Sequence, residues 1–201
     1  MRIIREGDYS DFEDALMKST NDGKVHYFCF NTTSECFVFL KFLFSSCTKI
    51  KMFNNDISIF SANKQSQLKD EIGNNTESVY SNFVNSIRNF FSNNNKLELL
   101  VDNIDDDFQN SLSTELSKIF IDNFNNGQIV IQRRSTDIEA INDLNHFIIS
   151  PDKNIICFEQ KDQDLQMCII NNSGICNKAN NVFDLFMRQS ISEEMISLDN
   201  D

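Results

Sequence analysis

Residues 144–160, LNHFIISPDKNIICFEQ, read as two strands and the turn between them. His146 to Ile149 forms an apolar strand and Ile155 to Phe158 a second. Between them, Ser150-Pro151-Asp152-Lys153-Asn154 brings together residue types that favour a tight reversal. Such a hairpin makes antiparallel pairing, and the segments on either side decide what sheet it joins.

Downstream, Leu165 to Ile170 reads as a further strand. A closing helix over about 177–190 buries Val182, Phe183, Phe186 and Met187. Upstream, Gln128 to Arg133 and Lys96 to Val101 read as strands. A helix over about 107–124 carries Leu112, Leu116, Ile119 and Phe120 on one side and ends at Asn125-Asn126-Gly127, where glycine suits a C-terminal cap. Thr76 to Ser92 is the clearest amphipathic helix: Val79, Phe83, Ile87 and Phe91 keep i, i+4, i+8 spacing. Earlier still, residues 61–76 are polar and read as a loop, with strands at Asp56 to Phe60 and Lys49 to Phe53. The run ECFVFLKFLFSSC reads as a helix opened by a capping box from Thr32 to Glu35. It is apolar nearly all round, which predicts burial between layers. Lys24 to Phe30 reads as a buried strand after an Asn21-Asp22-Gly23 turn. A second capping box, Ser10 to Glu13, predicts a helix over 10–19.

Strands alternating with helices imply parallel pairing, and the late hairpins add antiparallel strands. The predicted fold is α/β: a mixed, largely parallel central sheet flanked by helices, with C-terminal antiparallel hairpins. With 201 residues, 40% of them hydrophobic, the chain suffices for one domain with a substantial core. That domain is expected over 1–191, with 1–34 as an N-terminal extension packed on it and 192–201 as an acidic tail. Phe is abundant at 19 residues and Trp is absent, so Phe and Ile must fill the core.

The formal net charge of −12 opposes broad attachment to nucleic acid or to an anionic membrane. The six cysteines form no C-x2-C pair and fit no zinc spacing. Most lie in apolar runs, as small buried side chains do in a reducing compartment. The N-terminus lacks the apolar stretch of a secretory signal, and no run approaches the ~20 residues of a membrane span. The expectation is a cytoplasmic protein with no cofactor.

The element order, together with SNFVNSIRNFFSNNNKLELLVDN, GQIVIQRR, HFIISPDKNIICF and NNVFDLFMRQS, resembles the phospholipase D-like superfamily. The similarity runs from about Glu35 to Ser190 and is to a single half-domain. The resemblance implies an H-x-K-x4-D motif on the 144–160 strand pair. Its histidine would attack phosphorus, its lysine would hold the phosphate oxygens, and a second histidine, from a dimer or a second repeat, would protonate the leaving group. This chain departs from that pattern. Aligning on Phe147 puts Leu144 at the histidine position and His146 at the lysine position. Placing His146 at the histidine position puts Ile148 at the lysine position, and the last position holds Lys153, one past Asp152. Neither register restores the triad, so the resemblance implies a degenerate member.

Three functions follow as expectations. The first is a non-catalytic protein-interaction or regulatory module, a subunit of a larger complex or a homodimer, as single-motif relatives pair. The second is a metal-independent phosphodiesterase or nuclease with His146 as nucleophile, Asp152 beside it, and a cation from Lys153 or Arg133; burial of His146 would oppose it. The third is an acidic inhibitor that imitates nucleic acid. For binding, Arg133 and Arg134 form a basic pair at a strand end that suits a phosphate or an acidic partner. Asp105, Asp106 and Asp107 follow a strand end, where they suit a helix start or a Mg²⁺ ion. No metal site is predicted, and direct membrane or nucleic-acid binding is not expected.

Overall fold

The computed structural model describes residues 2–3, 9–54, 60–101, 112–133, 146–160 and 165–192. The elements run β1 (Arg2–Ile3), α1 (Tyr9–Ser19), β2 (His26–Phe30), α2 (Thr33–Ser46), β3 (Lys49–Asn54), α3 (Ala62–Ile72), α4 (Thr76–Ser92) and β4 (Lys96–Val101). They continue with α5 (Thr114–Asn125), β5 (Ile129–Arg133), β6 (Phe147–Ser150), β7 (Ile155–Gln160), β8 (Leu165–Ile170), α6 (Ser173–Gln189) and β9 (Ile191–Ser192). Most starts and stops obey the local rules read from the sequence. Thr32 caps α2: its side chain accepts from Glu35 N at 3.2 Å, and the Glu35 carboxylate accepts from Thr32 N at 3.3 Å. Gly127, at φ +71°, turns the chain after α5. Ser10 falls one residue inside α1 rather than ahead of it.

One sheet contains all these strands, in the order β1-β2-β8-β7-β6-β3-β4-β5-β9. Parallel pairing is confined to β1–β2, β3–β4 and β4–β5, and the other five junctions are antiparallel. The expectation of a largely parallel sheet is therefore corrected: antiparallel pairs outnumber parallel ones. The reason is where the hairpins go. β6, β7 and β8 do not extend an edge but insert between β2 and β3, splitting strands that would otherwise be neighbours. β2, from the segment expected as an extension, is built into the sheet, and β3 lies near its centre. A second correction concerns 61–76. Ser61 accepts from Lys64 N, and Leu68 and Ile72, one turn apart, bind α3 to the core. Two apolar positions in eleven residues give a weak periodic signal.

Alternation along the strands separates the two faces. Ile50, Met52, Leu97, Leu99, Ile129, Ile131, Ile148, Cys157 and Cys168 join one large core with side chains of α1, α2, α3, α4 and α5. Phe53, Leu100, Phe147, Ile149, Ile156 and Ile169 form a second core under Phe183 and Phe186 of α6. α2 is buried nearly all round, as its composition predicts.

The helix expected over about 107–124 begins later, at Thr114: Ser113 is extended and caps it by accepting from Leu116 N, and Leu112 pairs with Ser61 ahead of it. Residues 107–111, and the expected strand at Asp56 to Phe60 except for Phe60, lie outside the described residues. The tail from 193 onward is also outside them.

Candidate functional site

Strand directions bring certain ends together. β2, β3, β4, β5 and β7 run the same way, so their C-terminal ends share an edge with the N-terminal ends of β6 and β8. In open α/β sheets such an edge carries the ligand site. His146 enters β6 there, and Glu159 leaves β7 beside it. His146 O accepts from Glu159 N at 2.9 Å, and His146 Nδ1 is bonded to Glu159 Oε2 at 2.7 Å. A carboxylate only accepts, so Nδ1 carries the proton. The ring meets Phe53 edge-on, with centroids 5.8 Å apart. His146 is 8% exposed, and its Nε2 is buried with no hydrogen-bond partner. Holding Nδ1 with a carboxylate leaves Nε2 as the nitrogen able to accept a proton or attack. Here that nitrogen is sealed.

The N-terminus of α2 reaches the same edge, and a carboxylate already fills it. Glu71 Oε2, from the last turn of α3, accepts from Thr33 N at 2.8 Å and Ser34 N at 3.2 Å, and its Oε1 accepts from Ser34 Oγ. An anion at a helix N-terminus is favoured by the unpaired N–H groups and the helix dipole. Glu71 supplies that anion from within the chain. In the next turn, burial pushes the Cys36 thiol up to about 12, so it is no nucleophile at neutral pH.

The other predicted site residues do not converge on His146. Asp152 and Lys153 lie in the short 3-10 turn Pro151–Lys153, at the far end of β6, about 13 Å of strand away. Asp152 is a turn fastener: Oδ2 accepts from Thr48 N at 2.8 Å and Thr48 Oγ1 at 2.9 Å, and Oδ1 from Ser150 Oγ at 2.6 Å. Arg133 ends β5 on the same edge as His146, but β3 and β4 lie between, a separation of about 14 Å. Arg134 and Asp105, Asp106 and Asp107 lie outside the described residues. Among the described residues, no group of three or more His, Cys, Asp or Glu side chains could hold a metal ion, and no helix is long and apolar enough to cross a membrane.

Sequence reasoning missed a heavily bonded cation. Lys51, 3% exposed, projects from β3 under α6. Its ammonium pairs with Asp184, donates to Asn180 Oδ1 at 2.8 Å, lies 3.6 Å from Glu98 Oε2, and stands 5.2 Å from the centre of the Phe183 ring. The available signal was Asn180 and Asp184, four apart on one side of a predicted helix, and Lys51 between the apolar residues Ile50 and Met52 of a predicted strand. Glu159 was also missed; carrying the alternation of the second strand one residue past Phe158 places it across from His146.

Several solved structures are similar to this one. An archaeal chromatin protein, TrmBL2, whose structure is described as showing a novel mode of DNA binding, superposes with TM-score 0.51 at 9% identity. The alignment covers 92% of this chain, which spans 62% of the chromatin protein's length. Two further similar structures are a phospholipase D family member, Nuc from Salmonella typhimurium, and NucT from Helicobacter pylori. Nuc aligns with TM-score 0.46 at 10% identity over 85% of this chain and 98% of its own. NucT aligns with TM-score 0.48 at 11% identity over 85% and 99%. No family model matches the sequence. No curated protein matches it either.

Proposed function

We propose that this chain is a degenerate, non-catalytic member of the phospholipase D-like superfamily, acting in the cytoplasm as a protein-interaction or regulatory module, as a homodimer or as a subunit of a larger complex. The observation that carries this reading is the dispersal of the chemistry. His146 is sealed at one edge of the sheet, Lys153 lies at the other, and Lys51 is bound by Asp184, Asn180 and Glu98 on the face under α6. Phosphoryl transfer needs a nucleophile and a cation converging on one phosphorus, and loss of one such stabilising group costs roughly 10²-fold or more in rate. The DNA binding of the chromatin protein is not carried over, because a net charge of −12 repels a phosphate backbone. Carboxylates are engaged within the chain at several places, as in Glu13–Lys41, Glu98–Lys49 and Glu115–Arg88, which weighs against a nucleic-acid mimic.

A second reading keeps His146 as the nucleophile of a metal-independent phosphodiesterase. One observation favours it: Glu159 orients the imidazole and leaves Nε2 uncommitted. Incubating the protein in EDTA with labelled single- and double-stranded DNA, RNA and bis(p-nitrophenyl) phosphate separates the two. The expected result is no turnover by folded wild type. Turnover that disappears in both His146→Ala and His146→Gln would replace the first reading with the second.

A further inference from the structure

Cys157 on β7 and Cys168 on β8 stand directly opposite each other in the ladder. Both are buried, at 2% and 0% exposure, and both point into the core on the α2 side of the sheet. Hydrogen-bond parity fixes the kind of pair they make. Glu159 N donates to His146 O, and the β6–β7 register sets Cys157 opposite Ile148. Residues 155, 157 and 159 therefore direct their backbone N–H and C=O groups toward β6. Cys157 directs none toward β8, so Cys157 and Cys168 form a non-hydrogen-bonded pair of the β7–β8 ladder. In such pairs the Cα atoms are about 4.5 Å apart and the side chains make their closest approach. A disulfide accommodates Cα separations from about 4.4 Å upward. The two side chains are thus on one face and in register, on Cα atoms at a spacing a disulfide can span, and the reduced Cys157 thiol donates to Gln166 Oε1 at 3.7 Å.

We propose that Cys157 and Cys168 are a redox pair, which a hydroperoxide converts to a cross-strand disulfide joining β7 to β8. One sulfur, as thiolate, attacks the hydroperoxide. The O–O bond breaks, a sulfenic acid forms, and water or an alcohol leaves. The second sulfur then attacks the sulfenic sulfur; the S–O bond breaks, the S–S bond forms, and water leaves. The pair loses two electrons and two protons, and the hydroperoxide takes up both. A small oxidant suits thiols enclosed by the core, whereas the mixed disulfide formed by a glutathione-sized oxidant has no room there. Burial pushes both thiols well above their ordinary range, which makes the reaction slow at neutral pH and dependent on local opening of the hairpin. Glu159, the partner of His146, is two residues from Cys157, so the bond also fixes the strand that orients the imidazole. The competing thiols are Cys36, close enough for its charge to oppose that of Cys157, and Cys47, which opposes that of Cys168 from the same core; Cys29, opposite Met167, belongs to the other face.

The test treats native protein with hydrogen peroxide, blocks free thiols with an alkylating agent in denaturant, and maps the peptides by mass spectrometry. The expected product is a Cys157–Cys168 cross-linked peptide, two hydrogens lighter than the reduced pair. It should be reversed by dithiothreitol, retained in Cys36→Ser and absent in Cys157→Ser and Cys168→Ser. The oxidised protein should melt several degrees higher, as expected when a bond closes a short loop without distorting the sheet. The proposal is overturned if native Cys157 and Cys168 stay alkylatable, go to sulfinic acid without bonding, or bond to Cys36 instead.

Discussion

On the α2 side of the sheet, the ring centroid of Phe83 lies 5.0 to 6.4 Å from those of four others, Phe37, Phe44, Phe60 and Tyr80. On the α6 side, the ring of Phe183 faces the ammonium of Lys51. The same sheet is thus covered by two different chemistries. Five helices bury aromatic and aliphatic surface on one face, a non-directional attraction that rewards area removed from water. Among the described residues a single helix covers the other, and beside the apolar contact of Phe183 and Phe186 with Phe53 and Phe147 lies a cation held by Asp184, Asn180 and Glu98. Burial of that kind adds little net stability against an apolar equivalent, but it is directional. It sets how α6 is rotated and where along β3 it rests. The contrast separates what makes this fold stable from what sets the position of its last helix.

The largest effect should come from the aromatic face. Phe83→Ala removes a fully buried ring and should lower unfolding free energy by about 3–5 kcal/mol in urea titrations. A loss below about 1 kcal/mol would mean that this face does not dominate stability. Lys51→Ala should cost less, about 2–3 kcal/mol, because Asp184 keeps a third of its side-chain surface in water. The double variant Lys51→Met with Asp184→Leu should recover to within about 1 kcal/mol of wild type, leaving Glu98 to Lys49. If the double variant is as unstable as Lys51→Ala, the cation contributes more than orientation. The smallest effect appears only in alkali. Tyr80 is buried and donates to Ser113 Oγ at 2.7 Å, and burial raises its phenol above the ordinary 10.0. A folded-state value above the unfolded one gives stability that is complete below pH 10 and lost as pH rises through the folded value. Above pH 10, wild type should therefore lose stability more steeply than Tyr80→Phe. Parallel slopes would show that the phenol is not shielded on this face.

The two faces also differ in how well they could be read in advance. Residues of the aromatic face announce themselves by spacing: Phe83 and Ile87 on α4, and Leu116, Ile119 and Phe120 on α5, are all buried where helical periodicity puts them. Lys51 did not. Alternation in KIKMF puts Lys49, Lys51 and Phe53 on one face, but a strand face bearing two lysines reads as solvated. Among the described residues it is α6, arriving from more than 120 residues away, that covers it. The candidate site behaved in the same way. His146 was picked out, but its partner Glu159 and its burial were not, and the cations proposed for it proved to lie at another edge or several strands away.

The sequence by itself determined the elements and their inward faces, because turn chemistry, capping and hydrophobic period act over a few neighbouring residues. Thr32 with Glu35, Gly127 and the stripe through α4 needed nothing from elsewhere in the chain. Only the tertiary structure decided that β6, β7 and β8 enter between β2 and β3, and that α6 closes over Lys51. Strand order depends on which distant edges meet and on the loop-closure entropy of bringing them together, and no local pattern records that. The same insertion puts β3 and β4 between His146 and Arg133, while the length of β6 keeps Lys153 away and the β7–β8 register sets Cys157 opposite Cys168. What the molecule can do chemically was therefore settled by pairing order.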